Sequence, residues 1–367
     1  MNVLMVTPHL PPYQAANALL PHLLGEGLRA RGHGVRYLTF GPRPPEGGVV
    51  CVQRRRALRA TRLPQVLEAA ETWWRGRPLL RESDVVHVHS STWMNQVAAR
   101  LAVRSGRPYV LTHYGTEIWH HDGKDARFRR FNREARHVAF YSKALLERAR
   151  ALGVPLPGAS VVYPPVPPEF QPLDEAARAA VRAQYAPGAA AVLLNVKRLH
   201  PLADQATLLE AMARLSAERP DAVLLIAGSG EEETALKERA AALGLGEAVR
   251  FLGLVPNAEV ARLQAAADVF VLSSVLEATP TVALEALASG TPVVSTDNPG
   301  GLELHELLGD DVAVVPRQDP PALAAALLRF LERPRRASAA TLDQVATRFS
   351  AAGVVERYLD LYRQAAA

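Results

Sequence analysis

Short apolar runs alternate with helical patterns along this chain, and residues 268–296 show the alternation most clearly. Residues 269–272 are an apolar run of strand length, residues 281–288 have helical periodicity, and residues 292–295 form a second apolar run. This order predicts a strand, a loop, a helix and a strand, which make one βαβ unit. In open parallel sheets, ligands bind beyond the carboxyl ends of the strands, so the loop after residue 272 is a candidate binding site.

The same alternation extends through both halves of the chain. Strands are predicted at residues 2–6, 35–40, 84–89, 108–112, 138–141 and 160–163, and then at 191–196, 222–227, 249–252, 269–272, 292–295 and 312–315. Proline-dense residues 153–172 contain the crossing between the two halves. Because 367 residues exceed what one hydrophobic core usually serves, we predict two α/β domains with doubly wound parallel sheets. Their bounds are residues 1–166 and 167–352, and an amphipathic helix follows at 353–367.

Two carboxylates flank a predicted helix N-terminus in the βαβ unit. Glu277 lies in the loop after the first strand, and Glu285 lies about one turn inside the helix. Between them lie Thr279, Pro280 and Thr281, and the backbone N–H groups of the two threonines come to the helix N-terminus, where a phosphate is favoured. The carboxylates can accept hydrogen bonds from sugar hydroxyls, so the stretch predicts a site for a phosphorylated sugar. For either glutamate taken alone, an ordinary surface or helix-start residue is the better explanation.

The spacing of these residues resembles a known family. Glu277, seven residues, Glu285 and then the pattern A-x-x-x-G-x-P-V-V at 286–294 are similar to the retaining glycosyltransferases of family 4. The resemblance implies the GT-B fold, in which two Rossmann-like domains face each other across a cleft and the C-terminal helix packs back on the first domain. It also implies transfer of a sugar from a nucleotide-diphosphate sugar, without a metal or other cofactor, to an acceptor that the sequence does not identify.

The resemblance assigns roles to individual residues. Glu285 would hold the ribose hydroxyls, Glu277 the donor sugar and Arg198 the diphosphate. His113 follows a strand of the first half and would lie against the donor sugar, so we expect it at the mouth of the sheet with room for a ligand. Further donor contacts are predicted in the neighbouring loops and in a turn that resembles the nucleobase seat: Lys197, Gly228, Val255, Thr279, Pro280 and Thr281.

Two positions depart from the family pattern. The lysine expected five residues after Arg198 is Ala203, and the glycine pair expected in the first loop is replaced by residues 14–17. Lys197 could supply the missing charge, but as a neighbour of Arg198 we expect it to point the other way unless the loop turns. These departures keep two alternatives open. One is a sugar-nucleotide-binding protein without turnover, and the other is a sugar-nucleotide epimerase, which needs no acceptor.

Basic residues are concentrated in the first half of the chain. Residues 1–160 hold 24 Lys and Arg against 11 Asp and Glu, within a whole-chain net charge of +5. Trp73 and Trp74 lie beside Arg75 and Arg77, and two arginine clusters flank them in sequence: Arg54, Arg55, Arg56, Arg59 and Arg62, then Arg127, Arg129, Arg130, Arg133 and Arg136. Arginine beside tryptophan suits an anionic membrane surface. A solvated basic face with a buried tryptophan pair is the equal alternative, and nucleic acid is disfavoured because no recognition motif accompanies the charge.

The cysteine and histidine residues of the sequence do not support a disulfide or a metal site. Cys51 is the single cysteine, the start of the chain lacks the features of a signal peptide, and no apolar run reaches eighteen residues. We therefore expect a cytoplasmic protein, with peripheral attachment at the inner face of the membrane as the further prediction of the basic half. His87 and His89 are expected to face opposite sides of their strand, to be structural and to make a poor metal pair.

Overall fold

The computed structural model describes residues 1–13, 16–40, 47–52 and 63–367. This part of the chain divides into two compact units, Met1–Pro165 with Ala351–Ala367, and Val166–Ser350. Each unit contains one sheet of parallel strands with helices packed on it, which confirms the predicted α/β class with two Rossmann-like domains. The arginine cluster at 54–62 and the first two residues of the loop at 14–17 lie outside the described residues.

The first unit contains seven parallel strands in the spatial order β3-β2-β1-β4-β5-β6-β7. The strands are β1 (Asn2–Thr7), β2 (Gly34–Thr39), β3 (Val49–Cys51), β4 (Val85–His89), β5 (Tyr109–His113), β6 (His137–Phe140) and β7 (Ala159–Val161). The helices are α1 (Ala16–Arg29), α2 (Leu63–Arg81), α3 (Trp93–Arg104), α4 (Thr116–Trp119), α5 (Ala126–Glu134), α6 (Lys143–Ala151) and, from the end of the chain, α15 (Ala351–Ala366).

The order of the strands decides which face of this sheet each helix covers. The chain moves one way from β1 to β3 and the other way from β3 to β7, and crossovers between parallel strands are right-handed. Therefore α1 lies on one face, and α2, α3 and α5 lie on the other. Helix α15 packs against α1, while α2 packs against α3 and α3 against α5.

Buried hydrogen bonds hold α15 to the sheet of the first unit. His87 Nδ1 lies 2.6 Å from the Tyr362 hydroxyl, and His87 Nε2 lies 2.8 Å from Thr112 Oγ1. The rings of His87 and His89 have centroids 3.8 Å apart. The expectation of opposite faces is therefore wrong, because residues two apart on a strand share a face. Burial lowers the pKa of both histidines, that of His89 to about 3, so both are neutral groups inside the fold.

The second unit contains six parallel strands in the spatial order β10-β9-β8-β11-β12-β13. The strands are β8 (Ala191–Val196), β9 (Ala222–Ala227), β10 (Val249–Gly253), β11 (Val269–Leu272), β12 (Val293–Thr296) and β13 (Val312–Val315). The helices are α7 (Glu175–Tyr185), α8 (Gln205–Glu218), α9 (Glu233–Ala242), α10 (Asn257–Ala266), α11 (Thr281–Ala288), α12 (Pro299–Leu308), α13 (Pro320–Glu332) and α14 (Ala339–Arg348).

The strand order of the second unit reverses between β8 and β11. From β8 the chain moves outward to β9 and β10, and it then returns to place β11 on the other side of β8. Phe270 of β11 pairs with Leu194 of β8, so the two strands end side by side. A reversal of this kind opens a crevice at the carboxyl ends of the two strands, and ligands bind there in open α/β sheets.

None of the helices in the described ranges combines the length and the apolar character that a membrane span needs.

Candidate functional site

The carboxyl ends of β8 and β11 bring a cation and a carboxylate into contact. Lys197 follows β8, Glu277 lies in the loop after β11, and Lys197 Nζ is 2.5 Å from Glu277 Oε1. Both side chains are largely buried. Lys197 and Arg198 have different carboxylate partners, Glu277 and Glu231, in keeping with the expectation that the two neighbours point different ways.

Arg198 is directed to a different partner from its neighbour. Its Nη2 donates to Glu231 Oε2 at 2.9 Å, and the Arg198 side chain is 71% exposed. His200 Nε2 lies 3.5 Å from the other oxygen of Glu231. Because an exposed ion pair contributes little to stability, Arg198 can exchange this carboxylate for another anion at low cost. The sequence did not indicate that Glu231 pairs with Arg198, or that His200 lies beside the same carboxylate.

Two glycines after β9 allow the loop after β8 to approach closely. A Cβ atom on Gly228 would overlap the carbonyl oxygen of Lys197, and one on Gly230 would overlap that of Leu199. The loops are also joined by a hydrogen bond from the Leu199 amide to the Ser229 carbonyl at 3.1 Å. The structure thus gives Gly228, which was predicted as a donor contact, a role in positioning Lys197 and Arg198.

The loop from Glu277 to Thr281 ends at the N-terminus of α11. Pro280 precedes the first helical residue, and no side chain within the described ranges caps this end by a hydrogen bond. The Gly300 amide donates to the Glu277 carbonyl at 3.0 Å, and a Cβ on Gly300 would lie 2.6 Å from Pro280 Cδ. Gly300 is thus a positioning residue that sequence reasoning missed, although the Pro-Gly-Gly run at 299–301 was available as a signal.

Glu285 lies on the second turn of α11 and is mostly buried. Burial, together with the nearby charge of Glu169, raises the pKa of Glu285 to about 7, and the Lys197 ammonium partly offsets this rise. The Lys197 ammonium, which pairs with Glu277, thus also acts on the Glu285 carboxyl. The structure therefore brings Lys197, Glu277 and Glu285 together at the end of β8 and β11.

Ala203 lies where the resemblance places a lysine. It ends a short 3₁₀ turn, it is buried, and its carbonyl oxygen accepts a hydrogen bond from Ser273 Oγ at 2.8 Å. The Val275 amide donates to the Leu202 carbonyl at 2.9 Å. These bonds join the loop after β8 to the loop after β11, so this turn helps to hold the crevice in shape without contributing a cation.

Two predicted residues, Val255 and His113, lie apart from the group of Lys197, Glu277 and Glu285. Val255 follows β10, which is separated from β11 by β9 and β8. His113 ends β5 in the first unit, as predicted, and its side chain is completely buried, so the ligand contact expected of it stays a prediction. His113 Nε2 lies 2.8 Å from Asn132 Oδ1, and its Nδ1 lies 3.5 Å from Glu117 Oε1.

The carboxyl group beside His113 is held in its charged form. Burial acts to raise the pKa of Glu117, but the adjacent His113 ring and a hydrogen bond from the Tyr114 amide outweigh it, and the net effect lowers the pKa. Clusters of three or more possible metal ligands do not occur among the described residues.

Comparisons with known proteins identify the family. The profile of glycosyl transferases group 1 matches residues 178–347, and that of glycosyltransferase family 4 matches residues 22–170. An uncharacterized glycosyltransferase of Methanocaldococcus jannaschii is 30% identical over 354 residues, which are 90% of this chain and 89% of that protein. The chain belongs to this family of glycosyltransferases. The family prediction from the spacing of Glu277 and Glu285 is thereby confirmed.

One further relative and one solved structure are similar to this glycosyltransferase. The D-inositol 3-phosphate glycosyltransferase of Corynebacterium urealyticum is 36% identical over 222 residues, 58% of this chain and 51% of that protein, so the chain matches only about half of that relative's length. The crystal structure of Anabaena HepE in complex with UDP superimposes with a TM-score of 0.81 at 19% identity and covers 99% of this chain and 100% of that one. This likeness confirms the GT-B fold.

Proposed function

We propose that this glycosyltransferase moves a sugar from a nucleotide-diphosphate sugar to an acceptor, with retention at the anomeric carbon and without a bound metal. The observation that carries the proposal is the meeting of Lys197, Glu277 and Glu285 at the ends of β8 and β11, with Arg198 beside them. Cations at a strand end suit a diphosphate, and carboxylates suit the hydroxyls of a ribose and a sugar. The acceptor is proposed to bind the first unit, as the resemblance implies.

The proposed chemistry depends on stabilising the departing nucleotide. The bond from the anomeric carbon to the diphosphate oxygen breaks, and a bond to the acceptor oxygen forms on the same face of the sugar. Arg198, Lys197 and the backbone amides of Thr279 and Thr281 stabilise the negative charge that develops on the diphosphate. The departing phosphate takes the proton of the acceptor hydroxyl, which explains why the predicted site holds no dedicated general base.

The two carboxylates and the buried histidine take separate roles in this proposal. Glu285 binds the ribose hydroxyls in its ionised form, and Glu277 binds hydroxyls of the donor sugar. For His113 to touch the sugar, its ring must become accessible, because both of its nitrogens face protein atoms. Its role as a donor contact therefore stays a prediction, and so do those of Gly228 and Val255.

A sugar-nucleotide-binding protein without turnover is the second candidate. It is favoured by Ala203, which is buried and uncharged at the position of the expected second cation. Loss of one charged contact to a transition state can reduce the rate about 100- to 1,000-fold. Nothing among the described residues specifically favours the epimerase alternative. The cytoplasmic location remains a proposal as well.

Thermal stability with added nucleotides tests donor binding first. Purified protein is heated with UDP, GDP or ADP, each alone and as its sugar conjugates. A ligand at one hundred times its dissociation constant stabilises the protein by about 2.7 kcal/mol, which shifts the melting midpoint measurably. We expect a shift with one of the three bases. No shift with any of them would contradict the proposal.

Substitution of Arg198 then separates transfer from binding. Transfer is followed by product analysis with a panel of acceptors, and Arg198→Ala is expected to abolish it while the fold is retained. Arg214→Ala is the control, because Arg214 is an exposed arginine on the neighbouring helix α8. An active Arg198→Ala enzyme would overturn the proposed role. Nucleotide binding without turnover in the wild type, and turnover gained by Ala203→Lys, would favour the binding protein.

A further inference from the structure

The outer surface of α2, α3 and α5 in the first unit concentrates exposed apolar side chains. Nine large apolar side chains are exposed in the described part of the chain, and five of them lie on α2 and α3. They are Val66, Trp73, Trp74, Trp93 and Val103, and the three tryptophans are 47%, 70% and 39% exposed. Single exposed apolar residues need no explanation, whereas a group on packed neighbouring helices marks an interaction surface. The alternative of a buried tryptophan pair is therefore wrong.

Helical periodicity places these residues in stripes on the solvent side. On α2, Val66, Trp73 and Arg77 are separated by seven and four residues and lie along one face. On α3, Trp93 and Arg100 follow the same spacing. Each stripe thus combines an aromatic ring with an arginine. Both stripes lie on the side of the helix that faces away from the sheet.

Arginines accompany the tryptophans across the whole surface. The Arg77 guanidinium carbon lies 5.1 Å from the centroid of the Trp73 ring, and that of Arg127 on α5 lies 5.8 Å from the Trp93 ring. The three helices together carry nine arginines and three glutamates. This surface is therefore both apolar and positively charged.

A groove between α3 and α5 adds a defined cavity to the surface. It has a volume of about 180 Å³, and its lining includes Trp93, Val97, Arg100, Arg127 and Arg130. Arg130 Nε donates to Glu134 Oε1 at 2.6 Å, which leaves Arg100 and Arg127 as the charges beside the Trp93 ring. The size and charge of the groove suit a phosphate-bearing headgroup with an apolar attachment.

We propose that the outer surface of α2, α3 and α5 binds the surface of an anionic lipid bilayer. Tryptophan rings settle at the headgroup level of a bilayer, and arginines are attracted by the negative lipids. Charge alone would also suit nucleic acid, but exposed aliphatic residues such as Val66 and Val103 offer nothing to a stack of bases. The lipid surface accounts for the apolar and the basic residues together.

Vesicle binding tests the proposal directly, and it needs no donor or acceptor. The whole protein is sedimented with vesicles of phosphatidylcholine that contain phosphatidylglycerol, and with vesicles of phosphatidylcholine alone, at low and at high salt. We expect binding to the anionic vesicles that weakens as salt rises. Since three of the four tryptophans of the chain lie on this surface, their emission should shift to the blue on binding. Failure of this test would leave the proposed transfer reaction untouched.

Matched variants locate the binding on the molecule. Arg100→Glu combined with Arg127→Glu should reduce partitioning by at least about five-fold for each charge removed. Trp73→Ser combined with Trp74→Ser should reduce partitioning and diminish the blue shift. Arg363→Glu is the control, because Arg363 is an exposed arginine on α15 at the other face of the same sheet. Unchanged melting midpoints in the absence of lipid show that each variant is folded.

Three results would overturn the proposal. The first is no co-sedimentation with anionic vesicles at low salt. The second is wild-type binding by both the arginine and the tryptophan variants, which would place the contact on another surface. The third is binding of a single-stranded oligonucleotide with no vesicle binding, which would make the surface a nucleic-acid site.

Discussion

Lys197 Nζ lies 2.5 Å from Glu277 Oε1, so the cation after β8 and the carboxylate after β11 form one ion pair at the point where the strand order reverses. In the proposed function these two groups bind different parts of one donor, the diphosphate and the sugar. A phosphate oxygen that reaches Lys197 competes with Glu277 for the same ammonium group. Recognition of the diphosphate and recognition of the sugar are therefore coupled through this pair.

Removing the charge of Lys197 should weaken binding of the nucleotide itself. A hydrogen bond to a charged group contributes about 1.5–3 kcal/mol, so Lys197→Met should raise the Kd of the preferred nucleoside diphosphate at least about ten-fold. Isothermal titration calorimetry measures this Kd. Lys237→Met is the control, because Lys237 is also ion-paired in the second unit, with Glu233 on α9. Equal affinities of the wild type and Lys197→Met would exclude Lys197 from the diphosphate site.

Neutralising Glu277 should affect the binding of the diphosphate and the binding of the sugar differently. Glu277→Gln frees Lys197 from its carboxylate partner, so the nucleoside diphosphate should bind as tightly as before or more tightly. The same change removes a charged acceptor for sugar hydroxyls, so the additional affinity of the sugar conjugate over the diphosphate should fall. Both values come from titrations of the diphosphate and its sugar conjugate. Weaker diphosphate binding by Glu277→Gln would contradict the coupling.

The carboxyl group of Glu285 should make stability depend on pH. Its pKa rises from 4.5 to about 7 in the folded chain, so folding favours the protonated form. The stability that this provides is fully present below pH 4.5 and is lost as pH rises to 7, for a total of up to about 3 kcal/mol. Glu285→Gln resembles the protonated group at every pH. Its free energy of unfolding minus that of the wild type should therefore be larger at pH 8 than at pH 5.

Urea denaturation of both proteins at the two pH values measures the effect of Glu285. Exposed Glu238→Gln is the control for the change in net charge. The free energies of unfolding of Glu285→Gln and the wild type are compared at each pH. If their difference is the same at pH 5 and pH 8, the pKa of Glu285 does not change on folding. In the proposed function the ionised form binds the ribose, so wild-type nucleotide affinity should also rise between pH 6 and pH 8.

The apolar runs of the sequence predicted most of the second unit because its inner strands β8, β9, β11 and β12 are buried along almost their whole length. Every predicted strand from residue 191 to residue 315 is present, and β12 begins one residue later than predicted. In the first unit, β3 and α2 were not predicted. β3 has only three residues, and α2 exposes Val66, Trp73 and Trp74, so its apolar residues do not form the usual inward-facing stripe.

Side-chain contacts in the site were less predictable than the strands. The spacing of Glu277 and Glu285 indicated the crevice because both lie in one continuous βαβ unit. The ion pair of Lys197 with Glu277 was not predicted because it joins the loops after two different strands, β8 and β11. The burial of His113 was missed because Asn132, its partner, lies nineteen residues away on α5. Such contacts are set by tertiary packing and not by local pattern.

The close contact of the two loops after β8 and β9 should be sensitive to a single methyl group. In Gly230→Ala the new Cβ would overlap the Leu199 carbonyl, so the loop that carries Lys197 and Arg198 must shift. Forced overpacking costs about 1–3 kcal/mol, and a displaced Arg198 should also weaken nucleotide binding. Urea denaturation and titration with the nucleotide measure the two effects. Gly47→Ala is the control, because a Cβ there meets open space at an ordinary backbone angle. Wild-type affinity in Gly230→Ala would show that the glycine serves only the turn and does not position the cations.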